Sequence, residues 1–557
     1  MIKFFFSTVI LITTSLIFSQ TKKENTALSW RDSSSYTYLN INNISTVFRN
    51  NGISDIDEGE SNSGLVFPKG SGKTAVFISG LIWGAFVPED PQVRVGGSTY
   101  NSGLQGGKIL SPGVAEDTHL PHVRIYRVRR DVYPGGPDID LSVEVSEEGK
   151  NEYDIRTQYE LDWIEWRADD GAPFDDIDGN GIYNPDIDIP GIPGADQTIW
   201  FVANDLDSLV STSFYGAPPL GLEYQATYWA YNNGSFIDNV IFRKYRLINK
   251  SITAFNDMYV SLYSDTDIGN STDDYAGCDT TLQLIYGYNG LQSDPTYNPL
   301  PPPAVGFDLL QGPIGDNNDR LPMIATYYVN LPNGNWEPPP LGSIAYSNIY
   351  YKYMQGKDGY TGKFFVNPIT GDTTTFVLTG DPLTGKGWVD GILIGPGDRR
   401  IGLSCGPFQM AVGDTQEIIV AEIAAGAIPG TTNLTAIELL KFYDYSVQYY
   451  FDKGFIVSVV NNDIENTPNE FHLYQNYPNP FNPTTHIRYI VTEFSQVQLM
   501  VFDILGKEIA TLVDDEKPAG EYDVLFNSDE FNLTSGIYFY QMRVGDIIET
   551  KKMMLLK

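Results

Sequence analysis

Cysteine is almost missing from this sequence. Its 557 residues include two, Cys278 and Cys405, which excludes the dense disulfide framework of a small secreted scaffold. In an oxidising compartment the pair is open to a single bridge; two buried free thiols are the other reading. Histidine is scarce as well, with four residues, and only His119 and His122 lie close together. Pro121 between them keeps both rings off one helix face. No Glu-x-x-His spacing accompanies them, so the zinc-peptidase helix is excluded, and no nucleophile elbow served by a histidine is recognised. Polar loop residues are the default reading of the pair.

Positive charge is also short. Lys and Arg number 36 against 70 Asp and Glu, a net charge of −34. A nucleic-acid partner is excluded, because nothing here replaces the counterions around phosphates. The balance fits a self-repelling extracellular surface or one that holds cations. After the first nineteen residues no apolar run reaches the roughly eighteen residues of a membrane-spanning helix, so no transmembrane segment is expected. Long Ala-Leu-Lys helical runs are missing too. Tyr (36), Phe (29) and Gly (53) are plentiful instead, a strand-and-turn composition.

Met1 to Ser19 reads as a signal peptide, with Lys3 as the positive end, an apolar stretch from Phe4 to Phe18 and small Ser19 before the cut. Residues 20–35 are a polar stretch, and a β-rich cargo region follows over 36–460. Phe67 to Thr74 imitates a phosphate loop, but the motif needs Gly where Phe67 stands, so it reads as a glycine turn. Val123 to Arg130 reads as a half-exposed strand whose arginines pair with the acidic surround. Tyr346, Tyr350, Tyr351, Tyr353, Trp336 and Trp388 read as core aromatics, because aromatic strands are common in β domains. One helix stands out near 433–453: Leu434, Ile437, Leu440, Tyr443 and Val447 follow the helical period, with Asn433 as the cap. Residues 461–470 form a polar linker.

The most informative cargo stretch is Asp176-Ile177-Asp178-Gly179-Asn180-Gly181-Ile182-Tyr183-Asn184-Pro185-Asp186-Ile187-Asp188. Hard cations take roughly six to eight oxygens, and a loop supplies them from side chains at positions 1, 3 and 5 around a Gly at 6. Asp176, Asp178, Asn180 and Gly181 fill those places, the Ile182 carbonyl falls at 7 and Asn184 at 9. Position 12 is Ile187, so the closing acid is displaced to Asp186 or Asp188. Prolines on both sides exclude flanking helices. The stretch resembles the calcium loops of dockerin or thrombospondin type 3 repeats, and calcium is the expected ligand. A second acidic stretch, Ser264 to Tyr275, matches no standard loop; calcium binding and a solvated acidic loop both stay open for it.

The final segment, 471–557, alternates with a period of two. Ile487, Tyr489 and Val491, then Val497, Leu499 and Val501, then Tyr522, Val524 and Phe526 read as one-sided strands, and the spacing predicts a small antiparallel sandwich. Pro478, Pro480 and Pro483 force the leader before them to run extended. The Tyr477-Pro478-Asn479-Pro480-Phe481-Asn482-Pro483 leader, Val501 to Gly506, Leu533 to Tyr538 and the Lys551-Lys552 ending resemble the type A C-terminal sorting domain of Bacteroidetes-type cargo, itself similar to the immunoglobulin-like domain of a flagellar hook-capping protein. The resemblance implies export by the type IX secretion machinery through the periplasm, with release outside or attachment at the outer surface. Asp176, Asp267, Cys278 and Pro302 to Gly306 lie in segments similar to an uncharacterised cargo region of such proteins, which implies no activity.

The fold expected is all-β: a large sandwich-type cargo domain, one sandwich or two fused, with one packed helix, followed by the small immunoglobulin-like sandwich. Two functions stay open for the cargo. One is a non-enzymatic, calcium-stabilised structural, adhesive or glycan-binding protein. The other is a secreted hydrolase of glycosidase type, which needs two carboxylates roughly 5 to 10 Å apart.

Overall fold

The computed structural model describes residues 35–56, 63–88, 90–330, 339, 342–452, 472–479, 481–491, 495–503, 507–517, 520–531, 533–544 and 547–555. The signal peptide, nearly all of the polar stretch, Trp336 and the linker lie outside them. The chain divides into two compact units, Met1–Lys453 and Gly454–Lys557.

Strands dominate unit 1 because β-branched and aromatic residues bury well on a pleated surface. One sheet runs in the order Tyr126–Arg129, Gln197–Asn204, Leu222–Ala230, Val240–Asn249, Thr415–Ala425, Ala304–Gln311, Leu284–Asn289 and Asp274–Asp279, with Gln105–Gly106 added beside Gln197–Asn204. A five-stranded sheet runs Ala325–Asn330, Arg399–Met410, Phe255–Thr266, Ile78–Phe86 and Arg94–Gly97. The two meet face to face. Trp83 and Tyr224 approach to 6.1 Å across the gap, and residues of both sheets share one continuous core. Unit 1 is therefore one sandwich, not two fused. Its central strands are covered on both faces, as in Leu222–Ala230, where every residue is buried. Such strands lose the alternation that marks a half-exposed one.

The expectation of a single helix is corrected: the described residues hold five. They are α1 (Ser142–Glu148), α2 (Glu152–Ile164), α3 (Ser208–Tyr215), α4 (Ile344–Met354) and α5 (Asn433–Asp452). In α2, Ile155, Tyr159 and Trp163 bury one face at a four-residue spacing, and Asn151 caps the start by accepting from the Asp154 amide. α4 contains the tyrosines expected in strands. They are core, but they reach it from a helix lying on the five-stranded sheet, where Tyr353 stacks on Tyr327 and Tyr351 meets Phe86 edge-on. Gly84 gives Tyr351 its room, since a Cβ there would come within 2.8 Å of the ring. α5 packs on the strands around Ala304–Gln311, where Gly306 admits Leu440. Its cap is Thr432, whose Oγ1 accepts from the Thr435 amide at 3.1 Å. Asn433 is instead the first helical residue and donates to the Asn289 carbonyl.

Unit 2 is a small sandwich. Thr484–Val491 lies between His472–Leu473 and Gly520–Asn527, and a second sheet runs Glu508–Lys517, Ser495–Phe502, Gly536–Val544 and Ile547–Leu555. The inward residues Ile487, Tyr489, Val491, Val497, Leu499 and Val501 build its core. The proline leader is pinned from inside: Tyr540 Oη donates to the Tyr474 carbonyl and accepts from the Asn476 amide.

A charge sits at the centre of unit 1. Arg243, fully buried, donates to both Asp55 oxygens at 3.0 and 2.8 Å, to Ser54 Oγ at 2.7 Å and to Glu422. Removing one partner from a buried ion network strands the others, so Arg243→Met should cost about 3–5 kcal/mol, read from urea unfolding. Burial pushes the Glu422 carboxyl from its ordinary 4.5 to about 8, against the pull of Arg243. A folded pKa above the unfolded one contributes stability that is full below about pH 4.5 and lost as pH rises through about 8. Glu422→Gln should remove that component, and an unchanged difference between the two stability–pH curves would contradict it.

Candidate functional site

The acidic loop hangs from a short ladder in which Phe174–Asp175 pairs with Ile189–Pro190. Gly179 and Gly181 take positive φ, 71° and 75°, which lets the chain turn tightly between the acids. Within the loop, carboxylate oxygens of Asp176, Asp178 and Asp188 lie within 4.8 Å of one another. Each is aimed by backbone amides. Asp176 accepts from Asn180 and Gly181 at 3.1 and 2.7 Å, Asp178 from Asn180 at 3.2 Å, and Asp188 from Ile177 and Asn184 at 2.9 and 2.7 Å. Asp188 is 1% exposed, so it forms the floor of the loop while Asp178 stands in solvent.

Of the other expected ligands, Asp186 is exposed and outside the converging carboxylate group. Asn180 Oδ1 accepts from the Ile182 amide and Asn184 Oδ1 from the Asp186 amide, and each keeps a second lone pair. The loop is anchored to α2: Trp163 Nε1 donates to the Pro185 carbonyl at 3.0 Å, and Tyr183 Oη donates to the Trp163 carbonyl at 2.6 Å. Spacing suggested Asp188 only as one of two closing acids. The helix that holds its loop in place was not recognised, although Ile155, Tyr159 and Trp163 spell it.

The remaining sequence candidates are occupied otherwise. His119 faces Asp117 and His122 faces Glu116. Lys73 donates to the carbonyls of Thr296 and Asn298. Arg124, Arg127 and Arg129 pair with Asp162, Glu148 and Glu144 from the two helices that cover their strand. Gly402-Leu403-Ser404-Cys405-Gly406 does spell the letters of a nucleophile elbow, a match passed over in the sequence. It is no elbow, because Ser404 lies buried within a strand between Ser261 and Ala325. The second acidic stretch is not a solvated loop as a whole, since Asp265 and Asp274 are buried. Burial first, then the Asp398 charge, pushes Asp267 to about 7.

A cleft of about 680 Å³ opens on the nine-stranded sheet, lined among others by Lys108, Asp170, Glu223, Gln225, Arg246 and Lys250. Two of its three acids, Asp170 and Glu223, are engaged, while Asp169 stands exposed. Burial opposes ionisation of Asp170, yet hydrogen bonds from Lys108 and Arg167 hold its carboxyl below the ordinary range. Glu223 accepts from the Ile109 amide and from Gln225.

Comparison with known proteins decides the C-terminal unit. The family model described as "Secretion system C-terminal sorting domain" matches residues 475–556. Residues 475–556 are a sorting domain. The match supports cargo carrying a C-terminal sorting domain, and such a domain implies export to the cell surface or the extracellular space. No curated protein matches the sequence. Among solved structures, a polysaccharide lyase is similar over 59% of this chain and 35% of its own, at 8% identity and a TM-score of 0.16. Dimeric latent PorU from Porphyromonas gingivalis is similar over 64% and 31%, at 9% identity and a TM-score of 0.14. This chain thus spans about a third of each. Likenesses of that size carry no argument about the cargo.

Cys278 and Cys405 are both free and buried, which removes the disulfide reading. Burial pushes the Cys278 thiol up to about 12 and the Cys405 thiol higher, so the reactive thiolate is scarce at both. Folded protein should leave both thiols unlabelled by an aromatic disulfide reagent, and unfolded protein should expose both. Rapid labelling of the native chain would contradict this burial.

Proposed function

We propose that this cargo is a calcium-stabilised, non-enzymatic surface or secreted protein with a structural, adhesive or glycan-binding role. The convergence of Asp176, Asp178 and Asp188 on one point of an anchored loop carries the reading. Carboxylates this close repel by about 1 to 3 kcal/mol per pair, from the exposed to the half-buried limit, and a hard cation reverses that term. The three acids supply part of the oxygen shell, and solvent reaches the exposed side of the loop for the rest. The cleft favours binding, because its Asp170 is held ionised rather than kept protonated as a general acid, and Asp170 and Glu223 are bonded to protein donors. Its mixture of charged and amide groups suits the hydroxyls of a sugar.

Extracellular calcium sites bind with dissociation constants of about 0.1 to 1 mM. About 10 mM calcium should therefore stabilise unit 1 by about 1.4 to 2.7 kcal/mol through mass action, read as a rise in melting temperature over chelator. Asp178→Ala should lose the share of that rise that belongs to the loop. Asp279→Ala should keep it, although that variant gives up the 2.8 Å ion pair with Lys441. Superimposed melting curves for the natural chain would reduce the loop to an acidic turn.

Delivery has its own test. A periplasmic reporter fused to Glu470–Lys557, expressed in a type IX-competent host, should be found outside the cell. Retention in the periplasm would show that unit 2 is insufficient for export.

A further inference from the structure

The register of the five-stranded sheet gathers a second group of acids that no loop motif announces. Asp265 lies near the end of Phe255–Thr266, directly opposite Arg400 of the neighbouring strand. Side chains two apart share a face of a strand, so Asp267 continues the line of Asp265, and Asp398 that of Arg400. Carboxylate oxygens of Asp265, Asp267 and Asp398 lie within 4.8 Å of one another, although Asp398 is more than a hundred residues along the chain from the other two.

Arg400 holds two of these acids from behind. Its Nη2 donates to Asp398 Oδ2 at 2.8 Å and its Nε to Asp265 Oδ2 at 3.4 Å, while Tyr100 Oη also accepts from that Nε. The opposite oxygens are left bare. Oδ1 of Asp265, of Asp267 and of Asp398 is each buried with no hydrogen-bond partner among the described residues. The Asp265 side chain is 3% exposed, so water does not replace the missing donor there. With all three ionised, as ligands of a cation are, three carboxylates against one guanidinium leave two negative charges in excess. Buried carboxylate oxygens are ordinarily paired with donors or bound to metal.

We propose that Asp265, Asp267 and Asp398 are the protein ligands of a hard divalent cation, calcium in an extracellular setting, with Arg400 as the outer residue that orients them. One such ion cancels the excess of two and satisfies oxygens that no donor reaches. Three carboxylates are part of the six to eight oxygens that calcium takes, so roughly three or more come from water. The Asp398 side chain, 26% exposed, marks the side from which water would enter. An outer partner that fixes one oxygen of a ligand and frees the other is the usual support of a metal site. This site shares no residue with the 176–188 loop and stands independently of it.

The test uses the full mature chain carrying Asp178→Ala, which silences the loop. Its melting temperature should still rise between chelator and about 10 mM calcium, above the upper dissociation constant of about 1 mM for extracellular sites. Adding Asp267→Asn should abolish that rise. The same change removes one crowding charge, so in chelator the double variant should melt at or above the single one. A single variant indifferent to calcium overturns the proposal, and so does a rise that survives Asp267→Asn. A double variant that melts lower in chelator also overturns it, since Asp267 would then be a structural partner. Should Asp178→Ala alone leave the whole calcium response in place and Asp267→Asn remove it, the loop reading fails and this one stands.

Discussion

The buried guanidinium of Arg243 is the constraint around which unit 1 is arranged. A charge in a sandwich core survives only when opposite charge and hydrogen bonds surround it. Arg243 finds the opposite charge in Asp55, far toward the N-terminus, and a further acceptor in Glu422 on the neighbouring strand. Phe48, Tyr228 and Phe307 wall the group in, with ring centroids 5.2 to 5.9 Å from the guanidinium carbon. The N-terminal segment is thereby tied to the middle of the large sheet. Asp55 holds a φ of 69°, an unfavourable conformation for a non-glycine residue, while Thr46, Ser54 and Arg243 all donate to its carboxylate.

A strongly acidic chain must dispose of its carboxylates, and this one does so in several ways. Arginines on Tyr126–Arg129 and just before it meet acids from α1 and α2. Backbone amides of Leu220, Gly221 and Leu222 collect on Asp205, whose carboxyl burial nevertheless raises to about 6. Beneath α5, burial pushes both Asp308 and Asp444 well up. In the 176–188 loop and the Asp265 group three acids converge on one another, the arrangement for which a cation is proposed.

Delivery and cargo chemistry are separate properties of this protein. Unit 2 has a core of its own, closed by Leu473, Phe481, Tyr540 and Leu555 around its strands, and the family match is confined to it. The sorting domain states where the chain goes. It places no demand on which residues of unit 1 meet a ligand.

Local features were legible in the sequence because local physics creates them. Period-two alternation marked the strands of unit 2, where one face meets a core and the other meets water. The extended proline leader followed from fixed φ angles, and the crowding of Asp176 and Asp178 around two glycines followed from spacing alone. α2 was equally legible, with Asn151 as its cap, and was missed. Other features were decided only by the tertiary structure. The strands of unit 1 are buried on both faces, so their pattern carries no period and does not reveal how the two sheets stack. The tyrosines of α4 read as strand because burial on most sides of a helix erases its stripe. Asp188 emerged from two candidates because an anchored loop turned it inward. Asp398 came to Asp265 and Asp267 through strand register, a long-range pairing to which sequence spacing is blind.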